Sequence, residues 1–340
     1  MAERPDHASR FVVSSWLGPG RGEHLDDRPA ASAAAPAVPS APQIVTFDAL
    51  MPATMAARCE ESGLKKASMD AVTLLVLSVM AGAFISFGAI VATTVSAGGV
   101  SITTAAGESA FSAALPYGVT KLLAGLAFSV GLILVIVGGA ELFTGNNMIV
   151  MAWANGKVKS RQVLINWILV FCGNFVGAIG TAVIMLGTKQ YSFGGGSVGL
   201  AALYAAHGKA SLEFIEALTL GIMCNALVCM AVWMCYGART TLEKIASIVP
   251  PVMAFVASGF EHSIANIYYL AVGLFIKAGA AEPFWVSIHK SPADFPNLTW
   301  SNFLLGNLVP VTIGNIIGGS VMVGAVYWFV YLRKNQKTVR

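Results

Sequence analysis

Six long apolar stretches dominate the chain, at roughly residues 68–97, 116–153, 162–188, 212–236, 247–277 and 301–332. An α-helix needs about 20 residues to cross a hydrocarbon core about 30 Å thick, so the pattern predicts six membrane-spanning helices. The second and fifth stretches are interrupted by polar residues, at GAELFTGN (139–146) and GFEHSIAN (259–266). Ahead of the first stretch, VTFDALMPATMAAR (45–58) repeats Phe47, Leu50, Met51, Met55 and Arg58 at helical spacing. That spacing predicts an amphipathic helix, with two readings open: a surface anchor, or a cover over the mouth of the bundle. Residues 1–44 are polar and then Ala/Pro-rich, without the apolar core of a signal peptide. They read as a disordered cytoplasmic tail. The division expected is a tail over 1–44, an amphipathic cytoplasmic helix over 45–66 and a transmembrane domain over 67–335.

Composition sharpens this picture. Hydrophobic residues make up 56% of the 340 and charged residues only 11%, less than half of what covers a soluble globular surface. Lipid is the partner such a surface fits. A net charge of +4 gives no reason to expect nucleic acid. Five cysteines, four of them in apolar runs and none at zinc-ligand spacing, read as small packing residues rather than disulfides. The basic residues fix an orientation. Lys65 and Lys66, Lys157, Lys159 and Arg161, Arg239 and Lys244, and the C-terminal Arg333, Lys334, Lys337 and Arg340 fall on one side, against Lys189, Lys209 and Lys290 on the other. The positive-inside rule puts the first set, with both termini, in the cytoplasm of a cell whose inner membrane the chain spans.

The two interrupted stretches repeat one motif, Gly-x-Glu-x-x-x-small-Asn, in the second and fifth segments. GNFVGA (173–178) and GNIIGG (314–319) repeat in the third and sixth. Each half thus has three spans, and an odd number inverts one half relative to the other. The fold class expected is an all-α membrane protein of six helices, built as two inverted three-helix repeats with the second and fifth helices broken. Glu141 and Glu261 are ionisable at membrane depth, which costs about 2.5 kcal/mol or more against lipid. Irregular backbone is tolerated there only inside protein or beside a wet cavity. Gly138, Gly139 and Gly259 permit the turns, and the half-helix that follows each turn presents N–H groups that favour anions. Gly173 and Gly177, with Gly314 and Gly318, are four apart and suit close helix packing. Asn174 reads as structural; Asn315 reads equally well as a brace for the break or as a pathway residue.

His262 is the only one of five histidines at membrane depth. It stands in the second break beside Glu261 and titrates near neutrality in its ordinary state, which makes it a candidate proton donor. Leu142 is its counterpart in the first break, and Thr144 can donate and accept a hydrogen bond there. A Thr144–His262 contact follows from the pseudo-symmetry. Asn225 interrupts an apolar run, and Lys209 lies just outside the fourth segment, where it either concentrates anions or is merely solvated. No metal-ligand set and no cofactor motif is present. An intramembrane enzyme using Glu261 and His262 lacks a second catalytic group, and a pure scaffold leaves the two glutamate-bearing breaks without a purpose.

GAELFTGN, ASGFEHSIAN and LVPVTIGNIIGG together resemble the formate/nitrite transporter family, over about residues 45–335. The FDALMPATMA start and the long LPYGVTKLLAGLAFSVGLILVIVGG run look most like its formate channels. The resemblance implies an aquaporin-like fold in a homopentamer with one pore per protomer, set in the lipid bilayer, passing small monovalent anions such as formate, alone or with a proton. Nitrite or hydrosulfide is the alternative cargo within the family. It implies His262 and Thr144 as the central hydrogen-bonding pair. Lys209 and Asn225 would polarise His262, with Lys209 drawing the anion in from the periplasm. Glu261, Asn266 and Asn315 would hold the breaks, and Leu142 and Phe143 a flexible loop at the cytoplasmic constriction. Phe128, Leu132 and Phe255 would form the apolar constrictions. The chain departs from the family in its long Ala/Pro tail and in Gly145, Asn146 and Asn147, where formate channels often carry Ser or Thr.

Overall fold

The computed structural model describes residues 48–103 and 109–333. The 1–44 tail, Phe47 and the last basic residues, Lys334, Lys337 and Arg340, lie outside them. The first helix, α1 (Pro52–Ala67), starts at a proline whose missing N–H costs nothing at that position. It buries Met55, Ala56, Cys59, Glu60 and Gly63. Glu60 accepts hydrogen bonds from Lys157 at 2.7 Å and from the Asn155 amide, and Leu50 N–H donates to Gly237 O at 3.3 Å. This segment is therefore held against protein.

Five helices are long and apolar enough to cross a membrane: α2 (Ala71–Ser96), α3 (Tyr117–Gly138), α6 (Ser160–Thr188), α8 (Phe214–Gly237) and α12 (Asn302–Tyr331). Between α3 and α6 stand the short α4 (Phe143–Asn146) and α5 (Val150–Ala154), joined by a 3₁₀ turn. Between α6 and α8 comes α7 (Ser197–Ala210); between α8 and α12 come α9 (Thr241–Ala257), α10 (Ser263–Gly279) and α11 (Glu282–Ser287). The segment read as the fifth span is thus divided between α9 and α10, each 17 residues long. Asp70 starts α2 by accepting the Thr73 N–H at 2.9 Å, an N-cap at the point where the apolar run begins.

Side chains such as Val72, Leu126, Ile168, Ile184 and Leu305 face outward from the long helices, which suits lipid and not water. Small residues bring the helices together inside. α6 presses Gly173 and Gly177 against α2, and α12 presses Gly314 and Gly318 against α8; an added Cβ would collide with the Ser78 side chain at Gly173 and with backbone carbonyls at the other three. α12 carries two π-helical stretches, Asn302–Leu308 and Ile317–Ala325. Pro310, lacking an N–H, cannot hold the regular i to i−4 register just after the first of them.

Among the described residues the departure from an all-helical chain is a two-stranded antiparallel hairpin, β1 (Val100–Thr103) with β2 (Ser109–Ala113), between α2 and α3. The helical reading did not include it. Its VSIT and SAFSA runs are rich in residues that favour extended backbone and too short for a hydropathy window to register.

Candidate functional site

At the first interruption α3 ends at Gly138 and the chain turns through Gly139 at φ 77°, a left-handed conformation that glycine adopts without a Cβ penalty. Residues 140–142 are non-helical and the helix resumes at Phe143. Three exposed backbone groups in this stretch find fixed partners. Glu141 N–H donates to Leu77 O at 3.2 Å. Asn174 of α6 donates to Glu141 O at 2.9 Å and accepts the Phe143 N–H at 2.9 Å. The Glu141 carboxylate accepts both Lys66 Nζ (2.8 Å) and Asn146 Nδ2 (2.8 Å). Asn146 also donates to Asn166 Oδ1 at 3.0 Å, and Asn166 returns to Lys66 O at 3.0 Å.

The second interruption repeats this arrangement residue for residue. Gly259 turns at φ 72° and helix resumes at Ser263. Glu261 N–H donates to Leu220 O at 3.3 Å. Asn315 of α12 donates to Glu261 O at 2.9 Å and accepts the Ser263 N–H at 2.9 Å. The Glu261 carboxylate accepts Lys209 Nζ (2.7 Å) and Asn266 Nδ2 (2.6 Å). Asn266 donates to Asn307 at 2.8 Å, and Asn307 donates to Lys209 O at 3.0 Å. The Glu261 N–H, the Glu261 carbonyl and the Ser263 N–H, freed by leaving the helix here, each meet a fixed partner in α8 or α12, as low-dielectric surroundings require.

The interruptions meet at Thr144 and His262. Thr144 Oγ1 and His262 Nε2 stand 3.0 Å apart, both residues buried. The other ring nitrogen, Nδ1, accepts the Ala265 N–H at 3.1 Å, so in the neutral ring the proton belongs on Nε2 and is donated to Thr144 Oγ1. The Thr144 hydroxyl hydrogen is then free to donate onward. Phe255 stacks on the His262 ring at 6.1 Å and meets Phe128 edge-on at 5.7 Å.

Two cavities approach this pair from opposite ends of α3 and α8. The larger, about 790 Å³, is lined by Phe128, Lys209, Phe255, Glu261, His262 and Asn266 among others, and by the first turns of α3 and α8. The smaller, about 230 Å³, is lined by Lys66, Leu132, Glu141, Leu142, Asn146 and Lys244 among others, and by the last turns of α3 and α8. Of the remaining residues singled out above, Phe143 packs its ring into Trp167 and Phe171 of α6, at 6.3 and 5.2 Å. Asn225 donates to Thr144 O (3.2 Å), Asn147 Oδ1 (2.7 Å) and Asn315 O (2.7 Å). No hydrogen bond joins His262 to Asn225 or to Lys209. Asn225 meets it only through Thr144, and Lys209 is on α7, ion-paired to Glu261.

Lys66, Asn166 and Asn307 complete the two networks and were not singled out from the sequence. Their one sequence signal is a lone asparagine inside an apolar run, in LINWILV and LLGNLVP. Lys66 enters the sequence pattern only as one of the basic residues flanking the first span. Among the described residues no group of three or more His, Cys, Asp or Glu is placed to hold a metal ion.

A model of the formate/nitrite transporter family matches residues 53–329. The formate channel FocA of Escherichia coli (strain K12) is 42% identical over 289 residues, 85% of this chain and 97% of that protein. The formate channel BtFdhC of Bacillus thuringiensis is 34% identical over 282 residues, 81% of this chain and 93% of that one. A solved pentameric formate channel with formate bound superposes with a TM-score of 0.70 at 42% identity, covering 77% of this chain and 98% of its own. A second solved structure, an FNT family ion channel, gives a TM-score of 0.63 at 27% identity, covering 81% and 98%. With its long apolar helices, the chain is a multi-pass membrane protein and belongs to the formate/nitrite transporter family, a family of transporters and not of enzymes.

Proposed function

We propose that this chain forms a channel for formate and similar small monovalent anions, carried alone or with a proton. The observation that carries the reading is the Thr144–His262 pair between two cavities, walled by Phe128, Leu132, Leu142 and Phe255. Bare formate pays a desolvation penalty in such an apolar passage. One hydroxyl donor backed by one imidazole N–H offsets part of it. An additional proton, taken up at the pair from the acidic side and passed on to the anion, turns it into a neutral acid, for which the penalty is far smaller, and leaves the imidazole neutral as before. Glu261, Asn266 and Asn315 on one side, with Glu141, Asn146 and Asn174 on the other, hold the interruptions open. Leu142 and Phe143 belong to the constriction nearer the smaller cavity. Asn225 holds Thr144 in place, and Lys209 holds the Glu261 carboxylate in position.

The two matching networks support six spans in two inverted three-helix halves, with the second and fifth broken. α3 with α4 and α5 makes the second, and α9 with α10 the fifth. Five spans of regular length and one divided span give an even number, so both termini share a side. The basic loops support the cytoplasm as that side and the inner membrane as the location. The larger cavity then opens to the periplasm and the smaller to the cytoplasm, under α1. A homopentamer follows the pentameric relative. The 45–66 segment acts as a cytoplasmic mouth element, preceded by a tail over 1–44.

Proteoliposomes offered formate, nitrite and hydrosulfide separately test this. Formate flux well above protein-free vesicles is expected. No formate flux, with nitrite or hydrosulfide carried, replaces the cargo by the family's other anions.

A further inference from the structure

We propose that Lys121 and Lys244 are the anion-capture residues of the two cavities, each presenting an uncompensated ammonium to a small carboxylate before it reaches the central constriction. This rests on the transport reading above. The lysines nearest the interruptions, Lys66 and Lys209, are poor candidates, because each is spent on a carboxylate within 2.8 Å. Their charge is cancelled locally, and their backbone carbonyls each accept an asparagine amide, from Asn166 and Asn307 respectively.

Lys121 and Lys244 are different. Neither has a carboxylate within ion-pair distance among the described residues. Lys121 lines the larger cavity, facing the Lys209–Glu261 pair. Its ammonium lies 5.5 Å from the Tyr117 ring centroid, a contact that steadies a cation without neutralising it. The remaining charge on that wall, Glu216, is turned to the Glu213 N–H in the first turn of α8, where the helix start offsets it. Lys244 lines the smaller cavity beside the Lys66–Glu141 pair. Its neighbour Glu243 is turned to the Arg239 N–H.

Each of these lysines sits near the start of a helix, Lys121 in α3 and Lys244 in α9, and each helix leads into one interruption. A cation near a helix start opposes the macrodipole and costs stability. Two such placements, one per cavity and both without a carboxylate, fit selection for charge facing the cavity. The helical register agrees. Lys121, Ala124 and Phe128 share a face and all line the larger cavity, and about 10 Å of helix rise separates Lys121 from the constricting Phe128. On α9, Lys244 shares a face with Ile248, Val252 and Phe255, all three of them buried. An anion met by Lys121 is thus led along one face of α3 to the Phe128–Phe255 contact, and one met by Lys244 enters the smaller cavity between Leu132 and Leu142.

The test uses right-side-out and inside-out membrane vesicles from a host without formate transport of its own, with initial formate influx measured against concentration. Lys121→Gln is expected to raise the half-saturating concentration about threefold in one vesicle orientation only, and Lys244→Gln in the other. About 0.5 M of an impermeant salt should erase both differences, because screening is then nearly complete within a few ångströms. Lys121→Arg and Lys244→Arg should behave as the parent does. Unchanged half-saturation in both glutamine variants, with parental flux intact, overturns the proposal and leaves these lysines as headgroup anchors. A shift equal in both orientations and indifferent to salt also overturns it, as a packing defect. Parental vesicles that carry no formate overturn the transport reading itself.

Discussion

At the residue scale the proposed chemistry rests on a single hydrogen bond, between Thr144 Oγ1 and His262 Nε2. Ala265 N–H occupies Nδ1, so the imidazole has one nitrogen left for the pathway. His262→Asn keeps a donor but no exchangeable ring proton. Formate passage should persist in that variant while acid-driven uptake disappears, read with an internal pH dye in liposomes between about pH 5 and 8, the range that brackets an ordinary imidazole pKa. His262→Phe should lose both, and Thr144→Ala should weaken both by loosening the ring. Full acid-linked uptake in His262→Asn would reduce the histidine to a helix cap. A second expectation concerns the ion pairs. Glu261→Ala would strand the Lys209 ammonium, only 19% exposed, together with Asn266 and Asn307. Removing one partner of such a pair costs about 2–4 kcal/mol after allowing for partial exposure, so thermal unfolding in detergent should fall by several degrees. An unshifted transition would mean that water replaces the carboxylate freely. The glutamates themselves were legible in the sequence, because a charge inside an apolar run stands out. Asn146 and Asn266, five residues further on, are legible in the repeated motif, whereas Lys66, Asn166 and Asn307 are not, since their bonds join residues 20 to 100 positions apart and leave no local pattern.

At the element scale, what the sequence reveals depends on length. Apolar runs of more than 20 residues announce α2, α3, α6, α8 and α12. The 14-residue α7, SVGLAALYAAHGKA, is too short and too mixed for that signal, so the sequence shows Lys209 only as a residue just outside the fourth apolar segment. The π-helical stretches of α12 have no sequence signature beyond Pro310. Glycine spacing was the better guide. Gly173 and Gly177 do lie against α2, and Gly314 and Gly318 against α8. The geometry separates glycines that matter from glycines that do not. A Cβ on Gly177 would run into the Val79 carbonyl, whereas one on Gly180, a single turn away on the same helix, meets nothing within 4 Å. Gly177→Ala should therefore cost about 1–3 kcal/mol as α6 is pushed off α2, seen as an earlier loss of the folded protein on heating. Gly180→Ala should match the parent. Equal stability for the two would show that the α2–α6 contact is looser than the carbonyl geometry implies.

At the scale of the whole molecule the question is which cavity faces which compartment. The fold alone is indifferent: two matching networks, each with its lysine, glutamate and asparagines, make the halves nearly interchangeable in backbone. Charge in the connecting loops breaks the tie. Lys157, Lys159 and Arg161 precede or open α6, and Arg239 precedes α9, at the end of the bundle that holds the smaller cavity and α1. Lys290 follows α11, on the far side of α10. If the basic cluster is held inside, an impermeant thiol reagent added to intact cells should label Lys290→Cys and spare Lys159→Cys until the membrane is opened. Lys159 serves better than Lys157, whose ammonium is tied to Glu60 at 2.7 Å. The native background is low for a physical reason. Cys59, Cys224, Cys229 and Cys235 are buried, and Cys172, the exposed one, sits midway along the apolar α6, where lipid keeps a water-soluble reagent away. The opposite labelling pattern would turn the molecule over. It would put the larger cavity and its lysine in the cytoplasm, and the α1 segment outside, where it could no longer act as a cytoplasmic mouth element. Labelling of both positions in intact cells would be incompatible with the three spans, α6, α8 and the divided α9–α10, that separate Lys159 from Lys290, and so with the pairing of the two interruptions across one membrane.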